Sequence, residues 1–477
     1  MIGVHSVADV RAAEAALMAT VPDGALMQRA ATGLAAAIAR LGAGYGSRVV
    51  VLAGGGDNGG DALFAGARLA RRGAQIVAVL ARPDRAHRDG LTALLRAGGV
   101  AVAARDEAGA GRDGLSERAT QAIRSADFVV DGLLGIGGHG GLRGGDAELA
   151  AVVAQSPGTV VAVDLPSGVE PDTGETPGPH MCADVTVTFG TRKVALVVDP
   201  GAAAAGRIID VDIGLEPYLP EPSMTLLGDA DIADMVPRPG RDADKYRRGV
   251  VGVLAGSADY AGAAVLAVGG AIRGGAGMVR YVGAAGDAVR ARWPEVVTAR
   301  GRVQAWVIGP GLGADKRSRK DVAKLLHAGV PVVVDADGLR FLPDRFQTPA
   351  LLTPHAGELA RLVGADRADV EARRLHHAVA AAKRWNAVVL LKGTTTLVAA
   401  PDARVRVNPT GTPALATAGS GDVLSGLAGA LLAGGLDPFD AGSVAAYVHG
   451  RAGHIAARAH TNPSASDVLG ALGTTLA

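Results

Sequence analysis

Near its C-terminal end the chain reads "ATAGSGDVLSGLAGALLAGG", from Ala416 to Gly435. Backbone N–H groups at the start of a helix attract anions, so Gly419 to Gly421 suit a phosphate. Asp422 then stands where phosphate charge is expected. The plain role for such an aspartate is to cap its helix; the chemical one is to accept a proton beside the phosphate. A second glycine-rich loop lies in "VVVLAGGGDNGGDALFAGARLARRG", Val49 to Gly73. It runs from a strand pattern into an amphipathic helix pattern, the arrangement of a dinucleotide cradle. A dehydrogenase would show G-x-G-x-x-G and an acidic ribose ligand at the next strand end. This loop instead carries Asp57, Asn58 and Asp61 between its glycines, which argues against plain hydride transfer.

Two further strand ends carry oxygen donors: "VVDGLLGIGGHGGLRG" contains Asp131, and "VVAVDLPSGVEPDTGE" contains Asp164 and Ser167. Carboxyl ends of parallel strands lie along one sheet edge, where ligands bind. An amide oxygen from Asn58, the Asp131 carboxylate and the Ser167 hydroxyl form an all-oxygen set suited to a hard cation. For Asp131 or Ser167 taken singly, turn capping is the alternative.

These residues need a scaffold that brings strand ends together. Short β-branched runs alternate with helix-like segments: "SRVVVLAG", "AQIVAVLA", "ADFVVDGLLG", "TVVAVDLPSG" and "ADVTVTFG" predict strands of a mostly parallel sheet. The Pro-rich stretch "GLEPYLPEPSMTLL", 214–227, breaks that rhythm and predicts the linker. A second α/β domain follows, with "GVVGVLAGS", "AWVIGPG", "PVVVDADGL", "ALLTPHAGEL" and "AVVLLKGTTTLV" as strands leading into loops.

Composition narrows the function classes. The 477 residues, 48% of them hydrophobic and 20% charged, can bury two ordinary cores. Lys and Arg number 48 against 47 Asp and Glu, with no run of like charge, so neither a nucleic-acid nor an anionic-membrane partner is expected. The single cysteine, Cys182, cannot form an internal disulfide, and the charged N-terminal stretch "VADVRAAEAALM" is unlike a signal peptide. A cytoplasmic protein with small-molecule substrates is the expectation.

The motifs "GGGDNGGDA", "VVDGLLGIG", "VDLPSGV" and "VTFGTRK", in this order, resemble the YjeF N-terminal family of NAD(P)H-hydrate epimerases over residues 1–214. The resemblance implies a Rossmann-like three-layer α/β domain with a mostly parallel sheet. It implies K⁺ ligands at Asn58, Asp131 and Ser167. It places substrate contacts at Asp57, Asn58, Gly59, Gly60 and Asp61, at the loop Gly135, Ile136, Gly137, Gly138, His139, Gly140 and Gly141, and at Asp164. Asp164 is the acid/base candidate for epimerisation. Lys193 either holds phosphate, orients Asp164, or is an ordinary surface lysine. Three positions depart from the family pattern: Asp57 replaces Asn, Ala62 replaces Gly, and Glu170 replaces Asp.

The segments "DKYRRGVVGVLAGSADYAGAAVLA", "VIGPGLG", "LLTPHAGEL", "LLKGTTTLV" and "ATAGSGDVLSG" resemble the YjeF C-terminal family over residues 223–477. These are the ADP- or ATP-dependent NAD(P)H-hydrate dehydratases, with a ribokinase-like α/β fold. The resemblance implies substrate contacts at Ala263, Gly311, His355 and Asp422. It places nucleotide contacts at Lys392, Gly393, Thr394, Thr395, Thr396 and Gly421. It makes Asp422 the base toward an acceptor hydroxyl, with Mg²⁺ screening it from the phosphates. His355 by itself reads equally as a turn histidine. The implied substrates are the hydrates NADHX and NADPHX with ADP or ATP as co-substrate, handled by a homo-oligomer. Two alternatives stay open: an ordinary small-molecule kinase in the second half, and a non-catalytic nucleotide-binding module in the first.

Overall fold

The computed structural model describes residues 1–105, 114–238, 240, 244–313 and 316–475, those at 316 and 317 by backbone only. The described chain forms two compact units, Gly3–Pro222 and Ser223–Ala477 with Met1–Ile2.

In the first unit the strands are β1 (Ile2–His5), β2 (Arg48–Ala53), β3 (Gln75–Leu80), β4 (Val100–Ala103), β5 (Phe128–Gly132), β6 (Thr159–Val163), β7 (Val185–Phe189), β8 (Arg192–Lys193) and β9 (Arg207–Val211). Seven of them form a wholly parallel sheet in the order β4-β3-β2-β5-β6-β7-β9. Val49, Val51 and Ala53 of β2 enter one core, and Val50 and Leu52 enter the core on the opposite face. A strand covered on both faces needs no polar alternation, which is why β2 reads as a continuous apolar run. The chain reverses its direction of winding between β2 and β5, so the loops after these two strands open a crevice at the sheet edge. There Gly54 donates its N–H to the Gly132 carbonyl at 3.0 Å, and a Cβ at Gly54 would lie 2.0 Å from the Leu133 carbonyl oxygen. Only glycine permits that approach.

The second unit contains β10 (Met224–Leu226), β11 (Val250–Leu254), β12 (Met278–Tyr281), β13 (Ala305–Ile308), β14 (Val332–Val334), β15 (Ala350–Leu352), β16 (Val388–Leu391), β17 (Thr396–Ala399) and β18 (Val405–Asn408). Their order is β12-β11-β13-β14-β15-β16-β17-β18-β10; pairing is parallel from β12 to β16 and antiparallel from β16 to β18. Against this sheet lies the helix Ser420–Ala433, buried along nearly its whole length. Small residues let it press against the helix Ala261–Arg273: a Cβ at Gly426 would stand 1.9 Å from the Ala267 carbonyl oxygen. The glycines of this apolar helix therefore serve packing, and its N-terminus is held rigidly at the sheet edge.

Two expectations change. The stretch 214–227 is not linker throughout, because Met224–Leu226 pairs in parallel with β18. Strands β1, β4, β8, β9, β12 and β18 fall outside the expected set; β4 and β9 are the edges of the seven-stranded sheet, where half-buried residues beside exposed Val100, Arg207 and Asp210 weaken the apolar signal. Among the described residues no helix is long and apolar enough to cross a membrane.

Candidate active sites

The first site is built at the carboxyl ends of β2, β5 and β6. The helix Asp57–Ala70 starts there, with Gly56 as its N-cap. Asp131, the last residue but one of β5, is fully buried; its Oδ1 accepts the Ser167 hydroxyl at 2.7 Å and its Oδ2 the Ser167 N–H at 2.8 Å. Burial pushes this carboxyl up to about 6, against those hydrogen bonds. Asn58 reaches the same point: its amide NH₂ donates to the carbonyls of Leu134 at 3.1 Å and Val163 at 2.6 Å. Asn58, Asp131 and Ser167 are thus brought together. Carbonyls converging on a partially positive NH₂, beside a buried carboxylate lacking a cationic partner in its hydrogen bonds, form an oxygen-rich set that fits a weakly hydrated monovalent cation.

Asp164 follows β6 with φ of 65°, a left-handed conformation that L-residues adopt at a cost. Its Oδ1 accepts from Lys193 Nζ at 2.5 Å, Thr188 Oγ1 at 3.0 Å and the Phe189 N–H at 3.2 Å. Lys193 is 1% exposed and also donates to the Phe189 carbonyl at 3.0 Å. The surface-lysine reading is therefore wrong. Parallel pairing of His5 with Lys193 inserts the lysine inward, where it orients the carboxylate. A 580 Å³ cavity opens beside this pair, with Asp57, Asp61, Glu14 and Phe189 in its wall.

The loop Gly135–Gly141 follows β5 and lies against Asn58 rather than in the wall of that cavity: a Cβ at Gly135 would stand 2.4 Å from Asn58 Oδ1. Gly138 donates to the Gly135 carbonyl at 2.9 Å; Gly140 and Gly141 have φ of 79° and 78°. Glu170 latches the loop by accepting the Gly140 N–H and bonding His139 Nδ1 at 3.0 Å. Gly137 lies near Arg11, between Ile136 and Gly138. Gly59 and Gly60 are buried in the first turns of the helix Asp57–Ala70, where a Cβ at Gly59 would stand 2.3 Å from the Gly54 carbonyl oxygen. Ala62, the second departure, packs against Gly132 with no exposure.

The second site surrounds the N-terminus of the helix Ser420–Ala433. A 420 Å³ cavity is lined there by His355, Lys392, Gly393, Thr394, Thr396 and Gly421, among others. Lys392 Nζ lies 2.9 Å from Asp335 Oδ1 and 3.7 Å from Glu358 Oε2. Burial opposes its charge, but Asp335 and Glu358 outweigh burial and hold the ammonium above its ordinary value. Asp335 also accepts the Ser425 hydroxyl at 2.5 Å. Asp422, in the first helical turn behind Gly419, is pushed up to about 7, by burial first and by the Asp335 charge second, with Lys392 opposing. A carboxyl group at that value is matched to proton transfer near neutral pH.

His355 caps the helix Ala356–Val363 by accepting the Glu358 N–H at Nδ1, 3.2 Å, and also faces the cavity. Burial holds its imidazole below the usual value, against the pull of Glu358. Ala263 and Gly311 meet each other: a Cβ at Gly311 would lie 2.7 Å from Ala263 Cβ, and φ there is 60°. Thr395 lies outside the cavity lining, and its carbonyl accepts from Arg374 Nη2 at 3.3 Å. The same guanidinium nitrogen also takes the carbonyls of Leu391 and Lys392, each at 3.2 Å, so one buried arginine shapes the whole Lys392–Thr396 turn. Among the described residues no three His, Cys, Asp or Glu side chains are grouped to hold a metal. A divalent ion here would draw most ligands from nucleotide phosphates and water, as Mg²⁺ commonly does, with Asp335 and Glu358 the carboxylates at hand.

Residues 23–195 match the model of the YjeF-related protein N-terminus, and residues 251–471 match that of NAD(P)H-hydrate dehydratase. A bifunctional NAD(P)H-hydrate repair enzyme of Mycobacterium leprae is 46% identical over 97% of this chain and 95% of its own. The chain belongs to this family of bifunctional NAD(P)H-hydrate repair enzymes. A second such repair enzyme, from Moorella thermoacetica, is 37% identical over 86% of this chain and 83% of its own. The second unit is similar to an ADP/ATP-dependent NAD(P)H-hydrate dehydratase from Bacillus subtilis crystallised with ATP and Mg²⁺. That likeness has a TM-score of 0.50 at 29% identity, and covers 53% of this chain and 97% of that one. In this repair-enzyme chain the residues that motif reading did not single out are Glu14, Asp335, Glu358 and Arg374. Asp335 carried a signal, an acid at the end of the apolar strand β14. Arg374 carried none, because its partners lie 17 to 21 residues away.

Proposed function

We propose that this chain repairs hydrated nicotinamide nucleotides in two steps, epimerising the R and S forms of NADHX and NADPHX in its first domain, residues 1–214, and dehydrating the S form in its second, residues 223–477. The observation that carries the reading is Asp422: a carboxyl with its titration near neutrality, at the glycine-lined start of a helix, beside the Lys392–Asp335 pair.

In the second domain the Lys392–Thr396 turn and Gly421 hold the nucleotide phosphates, while Ala263, Gly311 and His355 contact the hydrate. Asp422 takes the proton of the hydrate's hydroxyl as that oxygen attacks the terminal phosphoryl group of ADP, leaving AMP. Phosphate is a far better leaving group than hydroxide. The ring-nitrogen lone pair then expels it to give C=N⁺, and loss of a proton from the neighbouring ring carbon to water restores the dihydronicotinamide. Mg²⁺, bound with the nucleotide, would supply charge neutralisation on the phosphates.

In the first domain the hydroxyl sits on a carbon next to the ring nitrogen, so the lone pair assists its loss and return. Asp164, positioned by Lys193, serves as acid/base, and Asp57 to Asp61 with Gly135 to Gly141 enclose the substrate. K⁺ at Asn58, Asp131 and Ser167, with the Leu134 and Val163 carbonyls, would supply the charge that holds the strand-end loops in register.

The test is to incubate the full chain with mixed NADHX epimers, KCl, Mg²⁺ and either ADP or ATP, following NADH absorbance and separating the epimers chromatographically. Complete consumption of both epimers with release of AMP and phosphate is expected with ADP. Accumulation of a stable phosphate ester would identify a kinase instead. Consumption of S alone would remove the epimerase.

A further inference from the structure

We infer that Asp61 is the general acid of the epimerase, delivering a proton to the departing hydroxyl in a cavity whose surrounding carboxylates stabilise the cationic ring left behind. The inference rests on the epimerase reading above and adds a catalytic group to it.

Asp61 sits one turn beyond Asp57 on the helix Asp57–Ala70, is only 7% exposed, and lines the 580 Å³ cavity. Its Oδ1 is buried and has no hydrogen-bond partner among the described residues. A buried carboxylate with no compensating cation is costly, so such a group retains its proton and becomes a donor. Burial first, and then the negative charges of Asp164, Asp57 and Glu14, raise its carboxyl well above the ordinary value. The ionisable groups around it come from every neighbouring element: Glu14 of the helix Val7–Met18 with Arg11 acting on it, Asp23 before the next helix, His87 and Asp89 at the start of the helix Arg88–Arg96, Asp57, and Asp164 backed by Lys193. Asp164 differs in kind, since its Oδ1 is ion-paired with Lys193. Two neighbouring carboxyl groups with opposed environments assign an acid and a base.

The acidic wall fits a cation, and epimerisation makes one. The C–O bond breaks as the Asp61 proton passes to the hydroxyl oxygen, and the ring-nitrogen lone pair forms C=N⁺; water leaves. Water then adds to the other face of that carbon, the C=N⁺ electron pair returns to nitrogen, and Asp164 takes the proton lost by the entering water. Asp61 and Asp164 have exchanged protonation states, so the reverse conversion runs with their roles exchanged.

The experiment follows R/S interconversion by the full chain in KCl without nucleotide, in water enriched in ¹⁸O. For Asp61→Asn we expect kcat to fall about 100-fold or more, KM to stay within about threefold, and ¹⁸O entry to fall in parallel. Asp61→Glu should regain most of the activity. The wild-type rate should decline on the alkaline side of its profile, and that decline should be absent from residual Asp61→Asn activity. Loss of KM alone in Asp61→Asn, or a wild-type rate independent of pH, overturns the assignment; the wild-type profile decides if Asp61→Asn does not fold. A wild-type chain that interconverts the epimers no faster than buffer overturns the epimerase reading itself, a result distinct from failure of Asp61 alone.

Discussion

Lys193 Nζ and Asp164 Oδ1 are 2.5 Å apart at the end of β6, with the lysine side chain 1% and the aspartate side chain 9% exposed. Removing one partner of such a pair leaves the other charge buried and alone. Lys193→Met should cost about 3–5 kcal/mol of stability and abolish epimerisation. Lys193→Met combined with Asp164→Asn should be more stable than Lys193→Met alone. Urea denaturation of both variants measures this, and equal midpoints would show that the pair is not coupled.

Asp422→Asn should reduce dehydration of the S hydrate at least about 100-fold, because the near-isosteric amide cannot accept a proton. Interconversion of R and S should survive. In the wild type, kcat/KM for dehydration should fall about tenfold per pH unit below about 7 as Asp422 becomes protonated in the free enzyme. The same raised value has a stability consequence of opposite sense. Its stabilising contribution is complete below the unfolded carboxyl value and lost as pH rises through about 7. Asp422→Asn should therefore melt higher than wild type at about pH 8 and show no such gain at about pH 4; calorimetry at the two pH values checks the sign.

Asp131→Asn keeps a side chain of the same shape beside Ser167 but removes the one formal charge among the three proposed K⁺ ligands. Epimerisation by the wild type should rise with KCl and respond weakly to LiCl, whereas the variant should be slow in both. Crystals grown in KCl should hold a spherical peak among Asn58, Asp131 and Ser167. Metal–oxygen distances near about 2.1 Å would identify Mg²⁺ instead.

Gly311 has φ of 60°, and an added Cβ would meet Ala263 Cβ at 2.7 Å and Tyr260 Cβ at 2.8 Å. Gly311→Ala should destabilise by about 1–3 kcal/mol and raise KM for the hydrate more than for ADP. A lower KM for the hydrate would place the substrate elsewhere.

Much of this architecture is written locally. Runs such as Val49 to Ala53 and Val160 to Val163 are apolar throughout because both sheet faces are covered, and the glycine and acid clusters after them mark the strand ends. Asp422 at the start of an apolar helix, and the oxygen donors Asn58, Asp131 and Ser167, are legible in the same way. The edge strands β4 and β9 were not, since a half-exposed strand carries little burial signal.

What the sequence by itself determined, then, was the type of each element and the order of its chemical motifs, because hydrophobic period and turn chemistry depend on near neighbours along the chain. Tertiary structure alone decided that Lys193 is buried against Asp164, 29 residues away. It likewise decided that Arg374 holds the carbonyls of the Lys392–Thr396 turn, that Lys392 is shared by Asp335 and Glu358, and that Asp61 has an unpartnered oxygen beside a cavity. The charge state and reach of an ionisable side chain depend on which groups share its volume and how much water is excluded from it, and strand crossovers set both across distances that no local pattern encodes.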